Sequence, residues 1–329
     1  MSAPIATSER RPRAVVALGG NALLRRGEAL EAETQARAAR IAAGLLARVS
    51  SSHQLVVTHG NGPQVGLLAL MGETSTETAP YPLDVLGSET EGQIGYVLEL
   101  ELDNAIAEQE TVAVLTRVVV DARDPALSAP SKFIGPVYSE REARTLAGRH
   151  GWTVRRDGEN WRRVVPSPRP QRIVELPAIE RLVDAGFLVV CVGGGGIPVV
   201  EDGRGHQRGV EAVVDKDLAS ALLAIDLRAD TLVLATDVDG VYSDYGTPAQ
   251  RAIARATPAG LRSQEFAAGS MGPKVEAVCR FVERTGARAV IGSLDQIDEL
   301  LSGQAGTQVL PDGPELHYRE RKDWDDRAA

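Results

Sequence analysis

The amino-acid sequence predicts an α/β fold in which a mostly parallel sheet is covered by helices on both faces. Three observations carry that prediction. Short, apolar, β-rich runs alternate with longer stretches of helical periodicity along most of the 329 residues, the pattern of strand–helix–strand units. Three of these runs stop directly at glycines, in LGGN (18–21), HGNGP (59–63) and GGGGIP (193–198). One Pro- and Arg-rich stretch, about 124–172, interrupts the alternation and reads as an inserted lobe.

Taken in order, residues 14–18 form the first buried strand. Ile41, Leu45 and Val49 fall four apart and predict a helix with these residues on its apolar face. A second strand covers 55–58, and Pro63 suits the first turn of a helix carrying Val65, Leu68 and Met71. Ile94, Leu98, Leu102 and Ile106 mark another amphipathic helix, followed by one long strand over 111–120. Residues 187–192 are a buried strand running into four glycines, and 231–235 and 289–291 are two more. Helices near 216–227 and 273–285 lie among them. Within the insertion, WRRVVPSPRP (161–170) is expected to be neither regular helix nor central strand, because each proline removes a backbone donor. Composition leaves open whether this lobe is a lid over the sheet edge or a solvated excursion. The ends, 1–12 and 312–329, are charged and expected to fray.

Hydrophobic residues at 43% and charged residues at 25% are ordinary globular values and exclude wholesale disorder. No apolar run is long enough to span a bilayer, and MSAPIATSERRPR has no apolar core of a secretory leader, so a cytoplasmic protein is expected. Cys191 and Cys279 both sit in apolar runs and are read as buried reduced thiols. A net charge of −9 argues against nucleic acid or an anionic membrane as partner. Anionic ligands must then be met by local positive groups. Of 36 basic residues only four are lysines, Lys132, Lys216, Lys274 and Lys322. Three of them lie in Gly-, Pro- or Asp-rich stretches, which singles those stretches out.

The three glycine loops would lie together at the carboxyl ends of strands, where open α/β sheets bind ligands. Consecutive N–H groups without side chains in the way make anion-binding concavities. None of the loops matches GxxxxGK[ST] or a dinucleotide fingerprint. In GSMGPK, Pro273 takes the first helical position with Lys274 directly after it. A lysine there opposes the helix dipole unless an anion binds the same end. In VVDKDLAS, Asp215 suits a helix N-cap and Asp217 could fix the direction of Lys216 or another lysine; an exposed charge cluster of little energetic worth is the alternative. Thr236-Asp237-Val238-Asp239-Gly240-Val241-Tyr242 offers carboxylates for a ribose hydroxyl, a magnesium shell or its own turn. The histidines have no metal spacing, and His59 is read as orienting its loop. These features point to phosphoryl transfer, which needs positioning and charge neutralisation rather than covalent work by the protein. No carboxylate base stands out, which fits an acceptor already ionised, such as a carboxylate or carbamate.

VVALGGNAL, VVTHGNGPQVG, PLDVLG, IGYVLE, VVVDARDPA, SKFIGP, WRRVVPSP, CVGGGGIPVV, GVEAVVDKDLAS, TDVDGVY, GSMGPKVEA and GTQV, in this order over 13–311, resemble carbamate kinase of the amino acid kinase superfamily. The resemblance implies a three-layer α/β/α sandwich with a protruding subdomain, a homodimer, and reversible transfer between MgADP with carbamoyl phosphate and MgATP with carbamate. It implies that Lys132, Lys216 and Lys274 neutralise the moving phosphoryl group and that Asp217 orients lysines. Gly19, Gly20, Asn21, Gly60, Asn61, Gly62, Gly194 and Gly195 are expected on the carbamoyl phosphate side, within 13–210. Thr236, Asp237, Val238, Tyr242, Ser270, Met271 and Gly272 are expected at the nucleotide, within 211–311. Mg2+ would arrive with ADP or ATP, with no resident metal of the protein's own. Phe133, where many relatives have proline, and Ser88-Glu89-Thr90, in place of an AMT-like triplet, are the departures. The alternatives are another amino acid kinase acting on a carboxylate (acetylglutamate, glutamate or aspartate) and a non-catalytic nucleotide or carbamoyl phosphate sensor.

Overall fold

A computed structural model describes residues 10–20, 28–73, 79–267 and 269–319. Six parallel neighbours form the centre of its largest sheet, in the order Arg288–Ser293, Thr231–Thr236, Arg13–Leu18, Gln54–His59, Leu188–Cys191 and Thr111–Val114. The side beyond Arg288–Ser293 continues through Thr307–Val309, Arg251–Ala256 and Val241–Ser243, with antiparallel and parallel pairings mixed.

Side-chain alternation along these strands divides the core in two. Val15, Ala17, Val56, Val189, Leu232, Leu234 and Ile291 face one layer, packed on Ile179, Leu223 and Phe281 from helices Leu176–Asp184, Lys216–Asp226 and Met271–Thr285. Ala14, Val16, Leu18, Val57, Val190 and Val233 face the other, against Leu46, Leu98 and Leu300 from Ala32–Ser50, Leu83–Ala105 and Ile297–Ser302. With both faces covered, the strands can be near-continuously apolar. This is the expected α/β/α sandwich with a mostly parallel sheet.

Several local expectations need correction. The inner face of Ala32–Ser50 is Ala39, Ala42, Ala43, Leu46 and Val49. Ile41 is 48% exposed, so the four-residue spacing through Ile41 and Leu45 picked the wrong stripe. The expected strand 111–120 is two, Thr111–Val114 at the edge of the main sheet and Arg117–Val120 in a separate four-stranded sheet. Between them Thr116 turns its hydroxyl to the Val192 N–H and its carbonyl to the Ile197 N–H. Met271–Thr285 begins two residues before Pro273, which sits inside the first turn. The tail from 312 is not frayed throughout: Leu316–Tyr318 pairs antiparallel with Arg251–Ala256.

The insertion holds a three-stranded sheet, Lys132–Tyr138, Asn160–Val165 and Thr153–Asp157. Contrary to expectation, WRRVV belongs to its central strand, because the prolines begin only at Pro166 and leave the ladder donors intact. Helix Glu140–His150 is closed by a Ser139–Glu142 capping box and by Gly151 in the left-handed region. The arginines cover aromatic rings: Arg163 lies over Trp152 and Arg144 over Trp161. The lobe is seated on the body where Ile134 and Val165 pack with Val65, Ala69, Leu83 and Leu86. There the Gly66 backbone of helix Gly62–Gly72 runs directly against Gly135, and a side chain on Gly66 would occupy the space of the Gly135 main chain.

Candidate active site

The site starts from one helix terminus. Lys216–Asp226 is capped by Asp215, whose Oδ1 accepts from the N–H groups of Asp217 at 2.9 Å and Leu218 at 3.2 Å. The other oxygen, Oδ2, accepts a short bond from Lys132 Nζ, which the first strand of the inserted lobe delivers. Asp217 stands between the other two lysines, with Lys216 Nζ 2.5 Å from Oδ1 and Lys274 Nζ 2.9 Å from Oδ2. Three lysines from three distant segments thus converge on two carboxylates.

Their charges persist because they are paired. Burial works against an ionised Asp217, but Lys216 and Lys274 outweigh it and hold its carboxyl below the usual range. Burial also opposes the Lys132 charge, and Asp215 together with Asp217 more than offsets it, so that its pKa is raised. Lys216 is pulled down, first by burial and then by Lys274, with Asp217 resisting.

The glycine loops lie against this cluster. A side chain at Gly60 would stand 3.4 Å from both Lys216 Cε and the Gly20 nitrogen. Gly19 donates to the Ala235 carbonyl at 3.0 Å and Gly60 to the Leu18 carbonyl at 3.2 Å, so adjacent strand ends are laced together. The 193–196 run is a tight turn followed by strand Ile197–Glu201, with positive φ at Gly194, Gly195 and Gly196. Gly194, at φ 66°, leaves its side-chain space to the Asn61 amide, which donates to Thr90 Oγ1 at 2.8 Å. Gly195 lies against the Val214–Asp215 main chain. Gly62 opens its helix. Asn21 lies outside the described residues. His59 is fully buried, and burial pushes its imidazole down to about 4, with Lys216 nearby pressing the same way. It is neutral at neutral pH and accordingly adds no positive charge.

On the neighbouring strand, Thr236 donates to Asp237 Oδ1 at 3.1 Å, and a side chain at Gly19 would stand 3.6 Å from Thr236 Cα. Asp239 is engaged by the Tyr242 hydroxyl and by Arg319, so it acts as an anchor of its own loop. The Tyr242 ring is buried, and burial with Asp239 raises its phenol. Ser270, Met271 and Gly272 form the entry to the helix carrying Lys274, where Ser270 and Gly272 both donate to the Ala267 carbonyl. Phe133 packs toward Gly269, and Arg162 lies over its ring.

Sequence reasoning missed three participants. Asp215 was expected only as a cap, and no local signal ties it to a lysine 83 residues away. Arg319 sits in the segment read as tail. Glu91 had a signal: it falls three residues before Ile94 on the apolar stripe of Leu83–Ala105, and it is buried.

A model of the amino acid kinase family matches residues 12–293. A carbamate kinase of Rhizobium meliloti (strain 1021) is 53% identical over 301 residues, covering 90% of this chain and 93% of its own. This chain belongs to the amino acid kinase family, in its carbamate kinase branch. A solved carbamate kinase from Giardia lamblia bound to citric acid superposes with a TM-score of 0.86 at 37% identity, covering 92% of this chain and 99% of that one. The same protein bound to AMP-PNP gives 0.82 at 38%, with the same coverage. Membership of a kinase family implies a nucleotide substrate. No helix among the described residues is long and apolar enough to cross a membrane.

Proposed function

We propose that this chain is a carbamate kinase that transfers the phosphoryl group of carbamoyl phosphate to MgADP, reversibly and in the ATP-forming direction. The observation that carries the proposal is the convergence of Lys132, Lys216 and Lys274 on Asp215 and Asp217 beside Gly20, Gly60 and Gly195. A β-phosphate oxygen of ADP attacks phosphorus, the P–O bond to the carbamoyl group breaks, and carbamate leaves as an anion. No proton has to move, so no general base is required. The demand is charge neutralisation on the equatorial oxygens, which the three lysines meet as Lys132 exchanges Asp215 for phosphate and Lys216 and Lys274 turn their remaining ammonium protons to it. Asp217 keeps two of them aimed at one point.

The loops that carry Gly19, Gly20, Asn21, Gly60, Asn61, Gly62, Gly194 and Gly195 take the carbamoyl phosphate, within the half spanning 13–210, with the N–H groups of Gly19, Gly60 and Gly195 spent on holding the loops to the Ala235, Leu18 and Val192 carbonyls. Thr236, Asp237, Val238, Tyr242, Ser270, Met271 and Gly272 take the nucleotide, within 211–311. The AMP-PNP-bound relative supports nucleotide binding by this fold. Magnesium enters as part of the nucleotide substrate. The lobe within 124–172 serves as a lid that brings Lys132. A homodimer is supported by exposed Tyr96, Leu100 and Leu115 near the outer edge strand, and light scattering would test it.

The deciding assay is ATP formation from MgADP and carbamoyl phosphate by the purified chain. Rapid ATP production establishes the reaction. Silence would remove carbamoyl phosphate as substrate and move the search to acetylglutamate, glutamate and aspartate with ATP.

A further inference from the structure

Behind the glycine loops, two consecutive residues of helix Leu83–Ala105 turn inward. Thr90 accepts from the Asn61 amide of the 59–63 loop. Glu91 Oε1 accepts from the Gly193 N–H at 2.8 Å, and its Oε2 from the Thr116 N–H at 3.3 Å. Thr116 in turn accepts from the Val192 N–H at 3.0 Å and, through its carbonyl, from the Ile197 N–H at 2.8 Å. Both ends of the four-glycine turn are therefore tied to Thr116 and Glu91. The turn needs such fixing, because Val192 itself sits at φ 53° and three of its glycines have positive φ. Against Gly193, the space a side chain would need is filled by His59 and Glu91.

We propose that Glu91 is a positioning residue: with Thr90 it sets the 192–196 and 59–63 loops in one register for carbamoyl phosphate. This rests on the reading of those loops as the carbamoyl phosphate side. A buried acceptor bonded to two backbone donors stiffens a segment that would otherwise open readily. Glu91 lines one cavity with His59 on strand Gln54–His59, Cys191 at the end of its strand, and Tyr96 and Glu99 on its own helix, and Glu175 ahead of helix Leu176–Asp184 acts on its charge. Burial pushes the Glu91 carboxyl up to about 8, with the Thr116 and Gly193 N–H groups resisting and Glu175 adding to the rise. Its ionisation therefore falls within the working pH range of an assay.

The test compares wild type with Glu91→Gln, which keeps the shape but turns one acceptor into a donor facing an N–H. Above about pH 8, where the wild-type carboxyl is ionised and accepts both N–H bonds, the expected result is about a tenfold or larger loss in kcat/KM for carbamoyl phosphate with KM for ADP within twofold. A pH dependence of that parameter near 8 in the wild type should vanish in the variant. Amides of 192–196 should exchange at least tenfold faster by hydrogen-exchange mass spectrometry. Glu91→Asp, if Glu91→Gln fails to fold, should show a partial loss in the same parameter. Equal losses toward both substrates, an unchanged pH profile, or unchanged exchange at 192–196 would overturn the proposal. If the wild type makes no ATP, the activity reading fails, and the exchange comparison still decides whether Glu91 holds the turn.

Discussion

The lysine cluster and the glycine loops meet at one sheet edge, yet they treat buried charge in opposite ways. In the cluster, Asp217 stays ionised because two ammonium groups touch it, and Lys132 stays charged because Asp215 does. On the loop side burial prevails over the backbone bonds that oppose it: His59 is driven down to about 4 and Glu91 up to about 8. One wall keeps full charges in fixed places, and the other presents backbone dipoles on a nearly neutral support. The difference teaches that burial alone does not decide ionisation; contact with a full opposite charge does, where backbone N–H groups do not suffice.

The sharpest way to break the comparison is to remove a charge from the first wall. Lys216→Ala or Lys274→Ala should lower kcat by about two to three orders of magnitude, comparable to losing one oxyanion donor, while KM changes little. Steady-state ATP formation checks this. Asp217→Asn leaves two buried lysines without their common carboxylate and should cost about 3 kcal/mol of stability, measured by chemical denaturation.

The second wall should respond to pH instead. His59 binds its proton near pH 4 when folded and near 6.5 when unfolded, so the unfolded state gains protons first as pH falls. Stability is thus lost between about pH 6.5 and 4, on the order of 3 kcal/mol, and His59→Gln should flatten that slope in thermal midpoints against pH. Gly194→Ala should lower the melting temperature by a few degrees, since alanine at φ 66° costs about 1–2 kcal/mol and displaces Asn61. Smallest is Phe133→Ala, which removes the ring under Arg162 and should cost about 1 kcal/mol or less in the same melts.

Much of this arrangement was legible before any coordinates. The strands ending at Leu18 and His59 were readable because glycine follows each at once, as was the 187–192 run because it meets Gly193, and the rarity of lysine singled out 132, 216 and 274. What sequence hides is pairing at a distance. Nothing in SKFIGP says that its lysine meets Asp215, and nothing in VVVD says that its strand leaves the main sheet at Thr116 to hold the 192–197 turn. WRRVVPSP misled because prolines were weighed over the whole segment, whereas only those inside a ladder cost a bond. The 312–319 segment misled because charge was taken as solvation, when Arg319 in fact spends its guanidinium on Asp239 and on the Asp239 and Gly306 carbonyls.

The graded shielding of the three lysines also makes the cluster a chemical handle. Lys132 has 34% of its side chain exposed, Lys274 15% and Lys216 11%. Elsewhere the basic side chains are arginine apart from Lys322, and arginine does not react with amine-selective acylating reagents. A mild acylating probe therefore meets few competing amines beyond the N-terminal amine and Lys322; exposure favours Lys132 over its two neighbours while its raised pKa slows it, and peptide mapping would read its adduct separately. Protection of Lys132 by a bound anion could then be followed by mass, with no coupled assay and no engineered tag.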